Sequence, residues 1–282
     1  MKRSFLVLPA VTFIFSLAAW SADKARSAAE IQHGVNIPLW EDGKVPLAQG
    51  DGPLDKPFLT VFPAPANKRN GAAVVIAPGG SNIMLMYGLE GIDIAETYND
   101  WGVTAFVLTY RMAPRYKDDA RTLDGTRAIQ VVRARAADYG LDPERVGYIG
   151  FSAGSTMGRL VVGASGPGEA NAPDPVARLS SKPAYAGLIY GPGRGIPNEN
   201  LKNFPPIFLC AAQWDRGASV GSAQLFQELT RAGAVAELHL YQKGRHGFGS
   251  GFGSPEFNLW MPELKHFLEQ GGFLTAAKGA AR

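Results

Sequence analysis

The sequence predicts a three-layer α/β domain, with a mostly parallel central sheet and helices on both of its faces. Three observations lead there. Short β-rich runs alternate with helical patterns along the chain, and several of these runs are apolar at every position. Residues 145–165, RVGYIGFSAGSTMGRLVVGAS, also read as a buried strand, an abrupt turn and a small-residue helix. Strands covered on both faces lose the alternation of a half-exposed sheet, and strand–helix–strand order implies right-handed crossovers. A chain of 282 residues, 46% of them hydrophobic, can bury one substantial core without dividing.

The N-terminus reads as an export signal over residues 1–21. Lys2 and Arg3 precede an apolar segment of about 15 residues, and small residues follow for cleavage after Ser21. The segment is short for a membrane span, which needs about 20, and no cysteine follows it to take a lipid. The expected location is periplasmic or secreted, with no stable membrane association after cleavage. Of the formal charge of +3, Lys2 and Arg3 leave with the leader, and the near-neutral remainder offers no footprint for nucleic acid.

Residues 22–57, rich in Gly, Pro and Asp, are expected to wrap over the domain before the sheet starts. Residues 58–272 are expected to form the α/β domain and 273–282 a tail. Strands are expected at 58–62, 72–77, 103–110, 145–151, 185–190, 207–212 and 237–241, and helices at 91–101, 118–139, 152–164, 219–232 and 257–270. Within 118–139, Ile129, Val132, Ala136 and Tyr139 share a face, and Gly140 follows as a C-terminal cap. The lone cysteine, Cys210, lies in an apolar strand and reads as a buried structural thiol.

In such sheets ligands bind outside the carboxyl ends of the strands, so the loops that follow strands carry the function. Gly150-Phe151-Ser152-Ala153-Gly154 is a G-x-S-x-G pentapeptide at a strand-to-helix turn, the arrangement that makes a serine hydroxyl project. Asp215 follows the 207–212 strand and His246 the 237–241 strand. The order Ser, Asp, His is that of the α/β-hydrolases. Serine at its free pKa is a poor nucleophile, so an imidazole must take its proton and a carboxylate must hold that imidazole's tautomer.

The other histidines are less suited: His239 alternates with Leu238 and Leu240 and is expected to face away from the core. His266 lies on the polar side of the last helix and His33 in the leader-proximal coil. Asp215 has a second reading as a helix N-cap. An oxyanion hole needs backbone N–H donors. Ala153 is one, and Pro78-Gly79-Gly80-Ser81-Asn82 offers Gly80 or Ser81 as the other. No metal or other cofactor is expected, because the four histidines have no ligand spacing and cysteine pairs are lacking.

The pieces APGGS (77–81), TYRMAP (109–114), GFSAGS (150–155), PPIFLCAAQWD (205–215) and KGRHGFG (243–249) together resemble the esterases grouped with acetyl xylan esterases and the bacterial feruloyl-esterase-like domain. The resemblance covers about residues 35–270. It implies a serine carboxylesterase with Ser152, Asp215 and His246 as its triad, acting on acetyl or feruloyl groups of plant polysaccharides. The chain departs from the pattern at Ser81, where relatives commonly carry a third glycine, and in the acid loop, where they often carry further aspartates and a proline.

Arg111 reads as a structural ion-pair partner or a substrate-binding cation. Tyr87, Arg194, Asn198 and Trp214 are candidates for contact with a small-molecule or oligosaccharide ester, Trp214 either stacking on a sugar ring or packing on the sheet. Two other functions share these motifs: a prolyl-oligopeptidase-type peptidase, for whose propeller domain the chain has no room, and a catalytically silent binding protein.

Overall fold

The apolar runs form eight strands: β1 Val35–Pro38, β2 Phe58–Phe62, β3 Ala73–Ala77, β4 Thr104–Thr109, β5 Val146–Phe151, β6 Ala186–Ile189, β7 Ile207–Ala212 and β8 Ala236–Tyr241. The structure, a computed structural model, describes residues 34–191, 201–251 and 259–275. One sheet holds all eight strands in the order β1-β2-β4-β3-β5-β6-β7-β8. β2 runs antiparallel to both β1 and β4, and every pairing from β4 to β8 is parallel.

The helices are α1 Asp93–Asp100, α2 Asp118–Ala134, α3 Ala136–Tyr139, α4 Ala153–Ala164, α5 Arg216–Arg231 and α6 Trp260–Gln270. Alternate residues of each central strand feed two separate cores. Val75, Phe106, Tyr148, Leu188 and Leu209 face Ile129 and Val132 of α2, Met157 and Val161 of α4, and Leu225 and Leu229 of α5. Their neighbours Val74, Val107, Ile149, Ile189 and Phe208 face Ile94 and Tyr98 of α1 and Trp260, Leu264 and Phe267 of α6. Both faces are thus covered, which is why the runs read as continuously apolar. The α/β-hydrolase architecture expected from the sequence is present.

Three local expectations are corrected. The sheet starts at Val35, not Phe58: β1 is an edge strand in which only Ile37 is buried, so it leaves no apolar signature. The helix expected over 118–139 breaks at Arg135 (φ −98°, ψ 8°), whose N–H bonds the carbonyls of both Val131 and Val132. Gly140 then caps α3 in the left-handed region at φ 63°. Finally, His239 is turned towards a core, stacked on Phe208 with ring centroids 5.1 Å apart, because edge strand β8 is half covered on that face. Leu240, on the opposite face, is the more exposed residue.

The register positions the loops. Ala77 lies opposite Gly150, which brings residues 78–81 out beside Ser152. Ala212 lies opposite Tyr241, so the loops bearing Asp215 and His246 leave the same edge of the sheet as neighbours.

Candidate active site

β5 ends at Phe151 and α4 begins at Ala153, so the whole reversal falls on Ser152, at φ 49° and ψ −114°. A non-glycine residue in that region is strained by about 1–3 kcal/mol, and the surrounding packing must hold it there. The flanking glycines make the turn possible. A Cβ on Gly150 would lie 2.3 Å from the Gly154 carbonyl oxygen, and one on Gly154 would lie 2.0 Å from that of Ala77. The Ser152 N–H donates to the Ile189 carbonyl at 3.0 Å, tying the turn to β6.

Ser152 Oγ lies 2.6 Å from His246 Nε2, and His246 Nδ1 lies 2.5 Å from Asp215 Oδ2. With the ring proton on Nδ1 donated to Asp215, Nε2 is free to accept the serine hydroxyl proton. Asp215 also caps α5, its Oδ1 accepting from the Ala218 N–H at 3.3 Å. Cap and triad member are therefore the two oxygens of one carboxylate. The cap fixes the side chain whose other oxygen orients the imidazole. Half of the His246 side chain is exposed, which opens the site to substrate.

Ala153 is the first residue of α4, whose early N–H groups have no partners within the helix and favour negative charge. Across from it, the Gly79 N–H donates to Glu90 Oε2 at 2.6 Å and is occupied. Gly80 and Ser81, at φ 130° and 56°, are the next donors along that loop, and the Ser81 side chain is exposed. A Cβ on Gly79 would lie 2.7 Å from Ser152 Cβ, so the loop presses directly against the turn.

The outlying candidates separate. Trp214 is 63% exposed next to Asp215, which removes the reading that it packs on the sheet. The Tyr87 hydroxyl is turned to Thr60 of β2, with β4 and β3 standing between it and β5, and burial pushes the phenol up. It is a packing residue, directed away from Ser152 because its ring joins the α1-side core. Arg111 is fully buried, its guanidinium bonding both oxygens of Asp124 at 2.7–3.1 Å, so it is an ion-pair partner with no reach to a substrate. Arg194 and Asn198 lie outside the described residues, as do His33 and the leader. Cys210 is buried, and burial pushes its thiol up.

Two residues behind the site escape sequence reasoning. Glu90 is only 2% exposed, and its Oε1 accepts from the Tyr190 hydroxyl at 2.7 Å. Burial pushes the Glu90 carboxyl up, while the bonds from Tyr190 and Gly79 act against that. Tyr190 sits at φ 39°, and its ring meets His246 edge-to-face with centroids 5.2 Å apart. One signal was present. Glu90 falls on the apolar stripe of Ile94 and Tyr98 at helical spacing, where a carboxylate is out of place.

Known proteins resemble this chain in sequence and in fold. Residues 62–170 match the family model BD-FAE, a span that includes the Gly79–Ser81 loop and Ser152. An acetylxylan esterase of Xylanibacter ruminicola is 27% identical over 222 residues, 71% of this chain. The chain spans 46% of that relative's length. Among solved structures, an acetyl ester-xyloside bifunctional hydrolase from Caldicellulosiruptor lactoaceticus superposes with a TM-score of 0.77 at 29% identity, covering 85% of this chain and 97% of that one. An esterase of Thermogutta terrifontis with propionate bound shares the fold, with a TM-score of 0.66 at 21% identity over 87% and 97% of the two chains.

Proposed function

We propose that this α/β-hydrolase, a BD-FAE-like chain whose relatives are esterases, is an exported serine carboxylesterase. Its substrates are short-acyl, chiefly acetyl, esters on plant-polysaccharide carbohydrate such as acetyl xylan. The observation that carries the reading is the continuous line of Ser152 Oγ, His246 and Asp215 at 2.6 and 2.5 Å, with the serine held on a strained turn. Acetyl specificity draws on the relatives, one an acetylxylan esterase and another an acetyl ester-xyloside hydrolase. Export rests on the reading of residues 1–21.

In this mechanism Ser152 Oγ attacks the ester carbonyl as its proton passes to His246 Nε2. The N–H of Ala153, with that of Gly80 or Ser81, stabilises the negative oxygen of the tetrahedral intermediate. The imidazolium, held by Asp215, gives its proton to the departing alkoxide, and the alcohol leaves with an acyl-serine behind. Water then attacks that carbonyl with His246 as base, and the acid and free serine are restored.

The test is hydrolysis of a chromogenic acetyl ester against longer acyl esters by residues 22–282, with Ser152→Ala, His246→Ala and Asp215→Asn alongside. Short-acyl turnover is expected, reduced by about 10⁴-fold or more in each variant. No turnover by the folded parent on any ester would sink the assignment, and a parental rate in Asp215→Asn would remove that residue from the triad. Acetate release from acetylated xylan, compared with other acetylated glycans, tests the alcohol side.

A further inference from the structure

The catalytic parts sit on loops from opposite sides of the turn, the oxyanion loop after β3 and the histidine loop after β8. A continuous line of buried hydrogen bonds joins them. The Gly79 N–H donates to Glu90 Oε2 (2.6 Å), the Tyr190 hydroxyl donates to Glu90 Oε1 (2.7 Å), and the Gly249 N–H donates to the same tyrosine oxygen (3.0 Å). Beyond it, Trp260 Nε1 donates to the Gly249 carbonyl (3.1 Å). The Tyr190 ring lies against both His246 and Phe248. Glu90 itself comes from the one-turn π-helix Gly88–Ile92, a rare form that recurs at functional sites.

Resting on the esterase reading above, we infer that Glu90 is a positioning residue, whose carboxylate sets the oxyanion loop and the histidine loop at a fixed spacing about Ser152. Only a group with two acceptor oxygens satisfies the arrangement, since both neighbours present donors. A glutamine of the same shape has one acceptor. Turned one way its NH₂ faces the Gly79 N–H. Turned the other way it faces the Tyr190 hydroxyl, which must rotate and lose its acceptor. The first misfit bears on Gly79, adjacent to the oxyanion donors and in contact with the serine turn, where a displacement of about 1 Å can cost 10²-fold in rate, and the second bears on Tyr190 and through it on the histidine loop.

The experiment uses residues 22–282 as parent, Glu90→Gln, Tyr190→Phe and, as a control, Asp55→Asn, which loosens a buried carboxylate bonded to neither loop. Steady-state kinetics on the acetyl ester are normalised to sites titrated with a serine-directed phosphonate, and Tm is recorded for each protein. Glu90→Gln is expected to lose about 10²-fold in kcat with KM held within about 3-fold. Tyr190→Phe, which leaves the Gly79 bond in place, should lose roughly 10-fold in the same manner. Asp55→Asn should lower Tm with kcat per site unchanged.

A Glu90→Gln protein that loses Tm but keeps parental kcat per site overturns the proposal, because a merely structural role would give that result. If Glu90→Gln does not fold, Tyr190→Phe decides, and parental kcat there overturns the proposal. A parent that neither turns over ester nor labels at Ser152 overturns this role and the esterase reading together. An active parent with two unaffected variants overturns this role alone.

Discussion

Ser152, Asp215 and His246 are far apart in the chain, and their order and positions after strands were enough to single them out. The chemistry restricts which residue types can act, and the parallel sheet restricts where they can stand. Glu90 was hidden by the same logic in reverse. It lies in GLEGIDIAE, a stretch with other acids that reads as a solvated helix start, and only its register with Ile94 and Tyr98 marks it as inward. Tyr87 shows a related limit: proximity to the glycine loop in sequence says nothing about which core its ring joins. Trp214 is the aromatic left at the rim. Because it is exposed, Trp214→Ala should hold Tm within about 2 °C. On an acetylated oligosaccharide it should raise KM by about 2–10-fold, the range expected of a lost aromatic contact, and it should leave a small chromogenic ester unaffected. Equal effects on both substrates would show that Trp214 does not contact the sugar.

The covered strands were legible almost to the residue, since β3 and β7 carry their apolar runs from end to end, whereas β1 was missed because an edge strand needs only one buried side chain. Part of what fastens this outer part of the sheet is polar. Asp55, at the end of the 3-10 turn Pro53–Asp55, accepts from the Tyr116 hydroxyl and from the Gly52 N–H (3.0 Å), and lies 3.2 Å from Arg115. The Tyr116 bond above all, then those from Gly52 and Arg115, holds the Asp55 carboxyl below the usual aspartate range. A depressed folded-state value contributes stability above the unfolded value and loses it as pH falls through the folded one. Asp55→Asn should therefore lower Tm at pH 7, and its gap from the parent should close as pH drops below about 3.9. A gap of the same size at pH 7 and pH 3 would mean that the carboxylate charge is not what fastens the segment.

For the molecule as a unit, the question is where the folding domain begins. Composition placed the boundary at residue 58, because 22–57 has no periodicity, but the contacts of that segment argue otherwise. Ile37 and Leu39 are buried in the core shared with α2. The Leu39 carbonyl accepts from Arg127 Nε at 2.8 Å, and the Pro46 carbonyl accepts from Arg111 at 2.5 Å, completing the guanidinium that Asp124 holds from the other side. Trp40 lies under both arginines, 5.6 Å from each guanidinium. Burying each of the two aliphatic side chains is worth about 1.5–3 kcal/mol, against a total stability of about 5–15 kcal/mol for a domain. Each ladder or carbonyl bond adds about 0.5–1.5 kcal/mol. A chain beginning at Phe58 gives up these terms and leaves Arg111 buried with an unmet donor. It should unfold about 10–20 °C below residues 22–282 or lose its cooperative transition. Thermal unfolding of the two chains side by side decides it. Equal midpoints would return the boundary to residue 58 and make the N-terminal segment a dispensable wrapping.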